Sequence, residues 1–378
     1  MYKKLLIVTN HYLPGYKAGG PIKSISSICK NLKDDFDITV MTLNHDFGEK
    51  EPYKNIEFNK SINLNGYNVI YLSKINILQV YKHIKDLKPN IIYLNSFFSK
   101  FSILILILNK LRLINSSIIL APRGELSSGA LSLKSNKKKL FLKSARIINL
   151  YSKDIILHST DKIEFNDIKN IFPKNKIVEI ANLSNLIVSD NIIDKKQNQL
   201  KIVFLSRISE KKNLLYALDI LKAIDIQGIT FDIYGPKEDI TYWKECENII
   251  KDMKNINVSY KGTIKPIEVF NILSNYHLFF LPTKNENFGH AIVEAMQVGV
   301  ISLISDQTPW NDLEKYNAGW AISLNKKDIF IEKIKELLSY DDIEFKKKSN
   351  NVKKYISKKL NNNELIIEYI KMFNKKVK

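Results

Sequence analysis

The stretch NENFGHAIVEAM, residues 285–296, holds two carboxylates, Glu286 ahead of a glycine and Glu294 inside an otherwise mostly apolar run. Carboxylates accept hydrogen bonds from hydroxyls, so an acidic pair suits a polyol such as a sugar or a ribose better than it suits nucleic-acid phosphate. Gly289 lies between them, where a residue without a Cβ lets backbone approach a ligand closely. Spacing alone leaves another account open, in which Glu286 is solvated and Glu294 pairs with a surface lysine. A cationic set stands earlier, in FLSRISEKKNLLYALDIL, residues 204–221, which reads as a strand, a short turn and an amphipathic helix. Arg207 leaves the strand end and Lys212 follows near the helix start, so two fixed cations and backbone amides can converge on one anion. Lys211 competes with Lys212 for that role, and two solvated cations beside an ordinary turn are the plainer account of the spacing taken alone.

The first half offers weaker constellations. In HYLPGYKAGGPIKSISSICK, residues 11–30, Gly19 and Gly20 stand between a strand and a helix, where backbone amides can approach phosphate; a tight turn would use the same glycines. Arg123 and Glu125, in ILAPRGELSSGAL, lie at a strand end. The arginine suits a phosphate or an acceptor and the glutamate suits hydroxyls, with a loop salt bridge as the alternative. His158 and Thr160 close the strand DIILHST, and a lone histidine is more often structural. Lys137, Lys138, Lys139 and Lys143 surround Leu140, Phe141 and Leu142, a segment that could rest on anionic lipid or be an ordinary exposed helix. The candidate strand-end loops of the second half carry no dense His/Cys/Asp cluster and no DxD triplet.

Those residues need strands to deliver them. Short β-branched runs recur: KLLIVTN, DITVMTLN, NVIYLS, NIIYLNS, SSIILAPRG and DIILHST in the first half, then KIVFLSRI, ITFDIYG, NINVSYKG, HLFFLPT and VISLISD. Near-continuous apolar strands alternating with helical stretches predict an α/β protein with parallel sheets covered on both faces, and the pattern occurs twice. A chain of 378 residues accommodates two such domains. The expected division is 1–184, a polar linker at 185–199, a second domain over 200–355, and a terminal helix at 356–378, with apolar positions in LIIEYIKMF, that packs back on the first domain. Open parallel sheets bind ligands at the carboxyl ends of their strands, so function is expected in a cleft lined by both.

The net charge of +19 argues for an anionic partner: nucleic acid, a membrane surface or a phosphorylated substrate. No homeodomain-like, zinc-finger or single-strand-binding pattern accompanies it, so specific nucleic-acid recognition is not expected. Cys29 and Cys246, far apart, give no disulfide framework and fit a reducing cytosol. The apolar run in FSILILILNKLRLI, residues 101–114, is too short to span hydrocarbon and reads as a buried helix, while MYKKLLIVTNHYLPG reads as a first strand rather than a signal peptide.

From Ser206 through Ser323 the chain resembles the nucleotide-binding half of the GT-B-fold retaining glycosyltransferases of glycosyltransferase family 4 (group 1). The likeness rests on Arg207 and Lys212, on the Glu286 to Glu294 motif with its Phe288 and Gly289 step, and on the helix ending EAMQVGV. It implies two Rossmann-like domains facing across a cleft, and transfer of a hexose-like unit, with retention, from a UDP- or GDP-linked sugar to a hydroxyl of a glycan or lipid-linked acceptor. No cofactor and no divalent metal are implied. By the same resemblance Arg207 and Lys212 hold the donor diphosphate, Glu286 meets the sugar hydroxyls and Glu294 the ribose, with Phe288, Gly289 and His290 in the same donor-binding stretch. Tyr260, Lys261, Gly262 and Thr263 correspond to the segment that meets the base, Gly235 and Pro236 to a turn of the fold, and Gly19 and Gly20 to a loop that approaches the phosphates or sugar.

The first half departs from the pattern. A subset of the family carries a histidine-glycine-aromatic loop where this chain has Asn95, Ser96 and Phe97, and reads close to SPRG where this chain has APRG. Asn95, Ser96, Arg123, Glu125 and His158 are the expected acceptor or sugar contacts. Ala181, Asn182, Leu183 and Ser184 replace a proline-asparagine-glycine segment. The subset's setting is surface polysaccharide or lipopolysaccharide assembly, in the cytoplasm or at the inner face of the membrane. Two alternatives remain at this level: a nucleotide-sugar epimerase or hydrolase of the same fold, and a non-catalytic basic nucleic-acid-binding protein.

Overall fold

Each of the apolar runs named above becomes a strand. The computed structural model describes residues 2–132, 135–184, 192–360 and 362–375. They fall into two compact units, Met1–Ser184 with Asn362–Lys378, and Asn185–Asn361. Both are parallel-sheet Rossmann-like bodies.

In the first unit the strands are β1 (Lys3–Val8), β2 (Phe36–Leu43), β3 (Ser61–Leu64), β4 (Tyr67–Leu72), β5 (Ile91–Asn95), β6 (Ser117–Ala121), β7 (Ile156–Ser159) and β8 (Ile177–Glu179). They pair in the order β3-β4-β2-β1-β5-β6-β7-β8, parallel except for β3 against β4. The second unit has β9 (Leu200–Leu205), β10 (Ile229–Tyr234), β11 (Asn257–Gly262), β12 (Leu278–Leu281), β13 (Ile301–Ser305) and β14 (Gly319–Ile322), in the all-parallel order β11-β10-β9-β12-β13-β14. Fully buried strands such as β12, LFFL, are apolar throughout because helices cover both faces.

The order of each sheet reverses once, beside β1 in the first and beside β9 in the second. At such a point neighbouring strands send their crossovers to opposite faces, and a crevice opens past their carboxyl ends. In the second unit β9 leads to Arg207 and Lys212, and its neighbour β12 leads to Glu286.

Of the expected linker, 185–191 lie outside the described residues. The rest is packed on the second unit: Ile192 and Ile193 lie against its core, and the buried Lys195 donates Nζ to the carbonyls of Lys196, Leu338 and Tyr340 at 3.0–3.1 Å. The segment expected as one terminal helix is divided. Residues 356–359 end the helix Asp342–Lys359 of the second unit, whereas Asn362–Asn374 joins the first. There Tyr369, Met372 and Phe373 are buried in the core with Phe36, Tyr93 and Ile180, with Met372 and Phe373 each worth about 1.5–3 kcal/mol of burial. The run at 101–114 forms the helix Lys100–Lys110, capped by Ser99, with Phe101, Ile105, Leu106 and Leu108 buried. Among the described residues no helix is long and apolar enough to cross a membrane.

Candidate functional site

The residues after β9 are laced to those after β10. Ser206 N donates to Tyr234 O at 3.1 Å and Ile208 N to Pro236 O at 2.9 Å. Gly235 makes the lacing possible, because its φ is +138° and a Cβ there would lie 1.8 Å from Ser206 O. Arg207 is thereby held at the strand end, its Nη1 2.8 Å from Glu238 Oε1. Lys212 closes a single 3-10 turn, Glu210–Lys212, and the α-helix proper begins at Leu214 after Asn213 takes a left-handed φ of 61°. Lys212 therefore sits just ahead of the helix rather than in its first turn. The amide of Leu215 donates to the Tyr242 hydroxyl at 3.0 Å, so that first-turn donor is already taken.

The loop after β12 is joined to the same turn. Lys284 N and Thr283 Oγ1 donate to Lys211 O at 2.8 and 3.1 Å, and Asn213 Nδ2 donates to Pro282 O at 2.9 Å. From the other side Glu286 N donates to Gln307 O at 2.8 Å. These bonds bring Lys212 Nζ onto Glu286 Oε2 in an ion pair whose side chains are only 11% and 18% exposed. Burial alone would raise the Glu286 pKa. The charge and hydrogen bond of Lys212, followed by the charges of Lys211 and Arg207, outweigh it and hold the carboxyl below its usual value. The structure separates the two candidate lysines: Lys212 is buried on the carboxylate, while Lys211 is exposed and contributes its carbonyl to the neighbouring loop.

Gly289, at φ 73°, precedes the helix His290–Gln297. A Cβ there would lie 2.7 Å from Ile292 Cδ1 and 3.1 Å from Glu286 Cγ, so a larger residue would strain the turn and crowd both side chains. The Phe288 carbonyl accepts Trp310 Nε1 at 2.6 Å, and its ring packs edge-on against His290 and Trp310. Glu294 is buried one turn into the helix beside the core residues Ile292, Val293 and Met296.

At the sheet edge Tyr260 donates its hydroxyl to Gly235 O at 2.9 Å, and the Gly262 carbonyl accepts Gly235 N at 2.8 Å. Lys261 lies 3.6 Å from Asp232, and Thr263 follows β11 directly. Trp243 packs on Tyr260, and Lys237 Nζ lies over both rings at 4.1 and 4.3 Å. Arg207, Lys212 and Glu286 are thus gathered at two neighbouring strand ends, with 260–262 joined to them through Gly235. Sequence reasoning passed over Glu238, Lys237 and Trp243; the first two stand just beyond the Gly235 and Pro236 turn that had been noticed.

In the first unit the expected contacts are committed to one another. Arg123 donates Nε and Nη2 to Asn95 Oδ1 at 3.1 and 2.8 Å, Nη2 to Tyr93 Oη at 3.1 Å, and Nη1 to Asn182 Oδ1 at 2.6 Å. His158 Nε2 lies 3.0 Å from the Ile180 carbonyl, which can only accept, so its other nitrogen accepts from Tyr93 Oη at 2.7 Å. Burial, then the charge of Arg123, lowers the His158 pKa to about 3. The loop salt bridge between Arg123 and Glu125 does not form. Glu125 accepts Ser96 Oγ at 2.7 Å and the amides of Phe97 and Phe98 at 2.6 and 2.9 Å. Glu164, which the sequence did not single out, is buried and accepts Gly124 N, Thr160 N and Thr160 Oγ1 at 2.7–2.9 Å.

Gly19 (φ 71°) opens the helix Gly20–Leu32, and a Cβ on it would meet nothing within 4 Å. The preceding loop is held by Asp46, whose carboxylate accepts the amides of Tyr16, Lys17 and Phe47. Among the described residues no group of three or more His, Cys, Asp or Glu side chains is placed to hold a metal ion.

Residues 188–359 match the family described as Glycosyl transferases group 1. The chain is 22% identical over 363 residues to an uncharacterized 41.2 kDa protein in the cps region of Klebsiella pneumoniae, covering 92% of this chain and 96% of that protein. Its fold is similar to that of sucrose-phosphate synthase from Thermosynechococcus elongatus, with a TM-score of 0.75, 12% identity and 98% of each chain covered. It is also similar to Anabaena HepE in complex with UDP and glucose, with a TM-score of 0.71, 15% identity, and 98% of this chain and 99% of that one covered. The architecture is GT-B, and together with the group 1 match it supports a glycosyltransferase.

Proposed function

We propose that the protein is a metal-independent retaining glycosyltransferase of family 4, moving a hexose-like unit from a UDP- or GDP-linked sugar to a hydroxyl of a glycan or lipid-linked acceptor. The observation that carries this reading is the pairing of Lys212 with Glu286 beside Arg207 at the reversal point of the second sheet. Two cations there suit a diphosphate and a carboxylate beside them suits sugar hydroxyls, which is the polarity a nucleotide sugar presents. Glu294 would take the ribose, and the segment Tyr260 to Thr263 the base.

In the proposed step the bond from the anomeric carbon to the β-phosphate oxygen breaks, and the acceptor oxygen bonds to that carbon on the same face. The acceptor's proton passes to the departing diphosphate. Negative charge builds on that diphosphate, and Arg207 and Lys212 stabilise it by standing ready before it forms. Glu286, kept ionised by its neighbours, holds donor hydroxyls. The cps-region relative, and the UDP and glucose bound to Anabaena HepE, favour a nucleotide sugar and a surface polysaccharide as the two substrates.

A membrane contact is part of the proposal. In the helix Ser135–Ile147, Phe141 and Leu142 pack on the core, while Leu140 and Ile147 are 67% and 76% exposed among the exposed Lys137, Lys139 and Lys143. Apolar side chains ringed by cations suit an anionic bilayer surface. Vesicles of anionic lipid should retain the wild type and lose the Lys137, Lys139 and Lys143 to Gln variant; equal retention removes this part.

The central test pairs UDP- and GDP-linked sugars with membrane-extract acceptors and follows product by mass spectrometry. Sugar transfer that Glu286→Ala and Arg207→Ala abolish supports the reading. Donor conversion without an acceptor would indicate an epimerase or hydrolase, and salt-sensitive RNA or DNA binding with no turnover would replace the enzyme reading.

A further inference from the structure

We propose that Glu238 is an internal stand-in for the donor's diphosphate: it holds Arg207 before a donor binds, and surrendering Arg207 to phosphate sets the affinity for nucleoside diphosphate. The inference rests on the reading of Arg207 as a diphosphate ligand and adds an affinity-setting residue to it.

An ion pair between long surface side chains ordinarily carries little meaning. Here the backbone delivers the carboxylate. Ile208, next to Arg207, donates its amide to Pro236 O at 2.9 Å and accepts the amides of Glu238 and Asp239 at 3.2 and 3.4 Å. Gly235, closed onto Ser206 O as no other residue could be, fixes the start of the same loop. Residues 235–239 are therefore tied to the two residues that flank Arg207, and Glu238 Oε1 reaches Nη1 at 2.8 Å. Both side chains remain open to an incoming ligand, at 40% and 34% exposed. A carboxylate and a phosphate accept a guanidinium through the same planar N–H geometry, so one can hold the place of the other.

The arrangement gives each of the two cations a carboxylate of the protein's own, Arg207 on Glu238 and Lys212 on Glu286. It also gives the product a competitor. When nucleoside diphosphate departs, Glu238 retakes Arg207, so the residue weakens product binding while keeping the arginine aimed.

The test is calorimetric titration of the full chain with UDP and, separately, with GDP. Glu238→Gln, which keeps size and removes charge, should bind whichever of the two the wild type binds about 2- to 5-fold more tightly, with a matching fall in donor KM. In an Arg207→Ala background the same change should do nothing, since the effect passes through that one side chain. A merely structural Glu238 would instead lower Tm and weaken binding in both backgrounds. Equal or weaker binding by Glu238→Gln, where Arg207→Ala does weaken binding, overturns the stand-in and leaves the proposed function standing. So does a gain of the same size in the Arg207→Ala background, which would be a general charge effect. If neither UDP nor GDP binds the wild type, or if Arg207→Ala binds as well as the wild type does, the diphosphate role of Arg207 falls and the stand-in with it.

Discussion

Each unit places an arginine and a glutamate past strand ends, both after β6 in the first and after the neighbouring β9 and β12 in the second, and the two sets end differently. Arg123 spends its donors on Asn95, Tyr93 and Asn182, and Glu125 caps the amides of Phe97 and Phe98. Arg207 has Glu238 on one terminal nitrogen and a 40% exposed side chain, and Glu286 has Lys212 on one oxygen. A strand-end charge is therefore not yet a site. The two arginines differ in how far their own fold has already satisfied them.

The contrast predicts opposite signatures on substitution. Glu286→Ala and Arg207→Ala should each lower sugar transfer about 100-fold or more in turnover assays; scanning calorimetry on the same samples should show little change for Arg207→Ala and a lower Tm for Glu286→Ala, which leaves the buried Lys212 unpaired. Arg123→Ala should do the reverse. It strands buried acceptors on Asn95 and Asn182 and should cost about 2–4 kcal/mol in denaturant unfolding. Loss of transfer by Arg123→Ala at full stability would break the comparison.

His158 sharpens it through pH. Its folded pKa is about 3 against an ordinary 6.5, so above pH 6.5 both folded and unfolded chains hold it neutral. As the pH falls from 6.5 toward 3, the unfolded chain takes up a proton that the folded chain refuses, and stability is lost across that window. The loss should be on the order of a few kcal/mol, and His158→Gln should flatten that limb of the unfolding profile.

Glu286 acts at lower pH. Its pKa is depressed from 4.5, so its ion-pair stabilisation is present above that pH and lost as the pH falls through the lower folded value. Lys212→Met should remove that acid-side loss, with Tm measured from pH 6 to pH 3; an unchanged acid limb would mean that Lys212 is not what keeps the carboxylate ionised.

The strands that sequence reading missed are informative. β3, β8 and β14 are all edge strands. β3 is half-exposed along its length, β8 is three residues long, and β14 opens on a glycine. None makes the continuous apolar run that burial on both faces imposes on β1, β5 or β12. Glu164, Asp46 and Glu238 were likewise illegible, because a carboxylate that accepts backbone amides or holds one arginine carries no spacing that marks it among 39 acidic residues.

By itself the sequence determined two runs of alternating strand and helix, and the strand ends from which Arg207, Lys212 and Glu286 depart, because burial and turn chemistry act on near neighbours in the chain. Tertiary structure alone decided which of those charges are used up. Lys212 meets Glu286 across 74 residues and Arg123 meets Asn182 across 59. Such partnerships depend on strand order and on backbone lacing between loops, which local pattern does not encode.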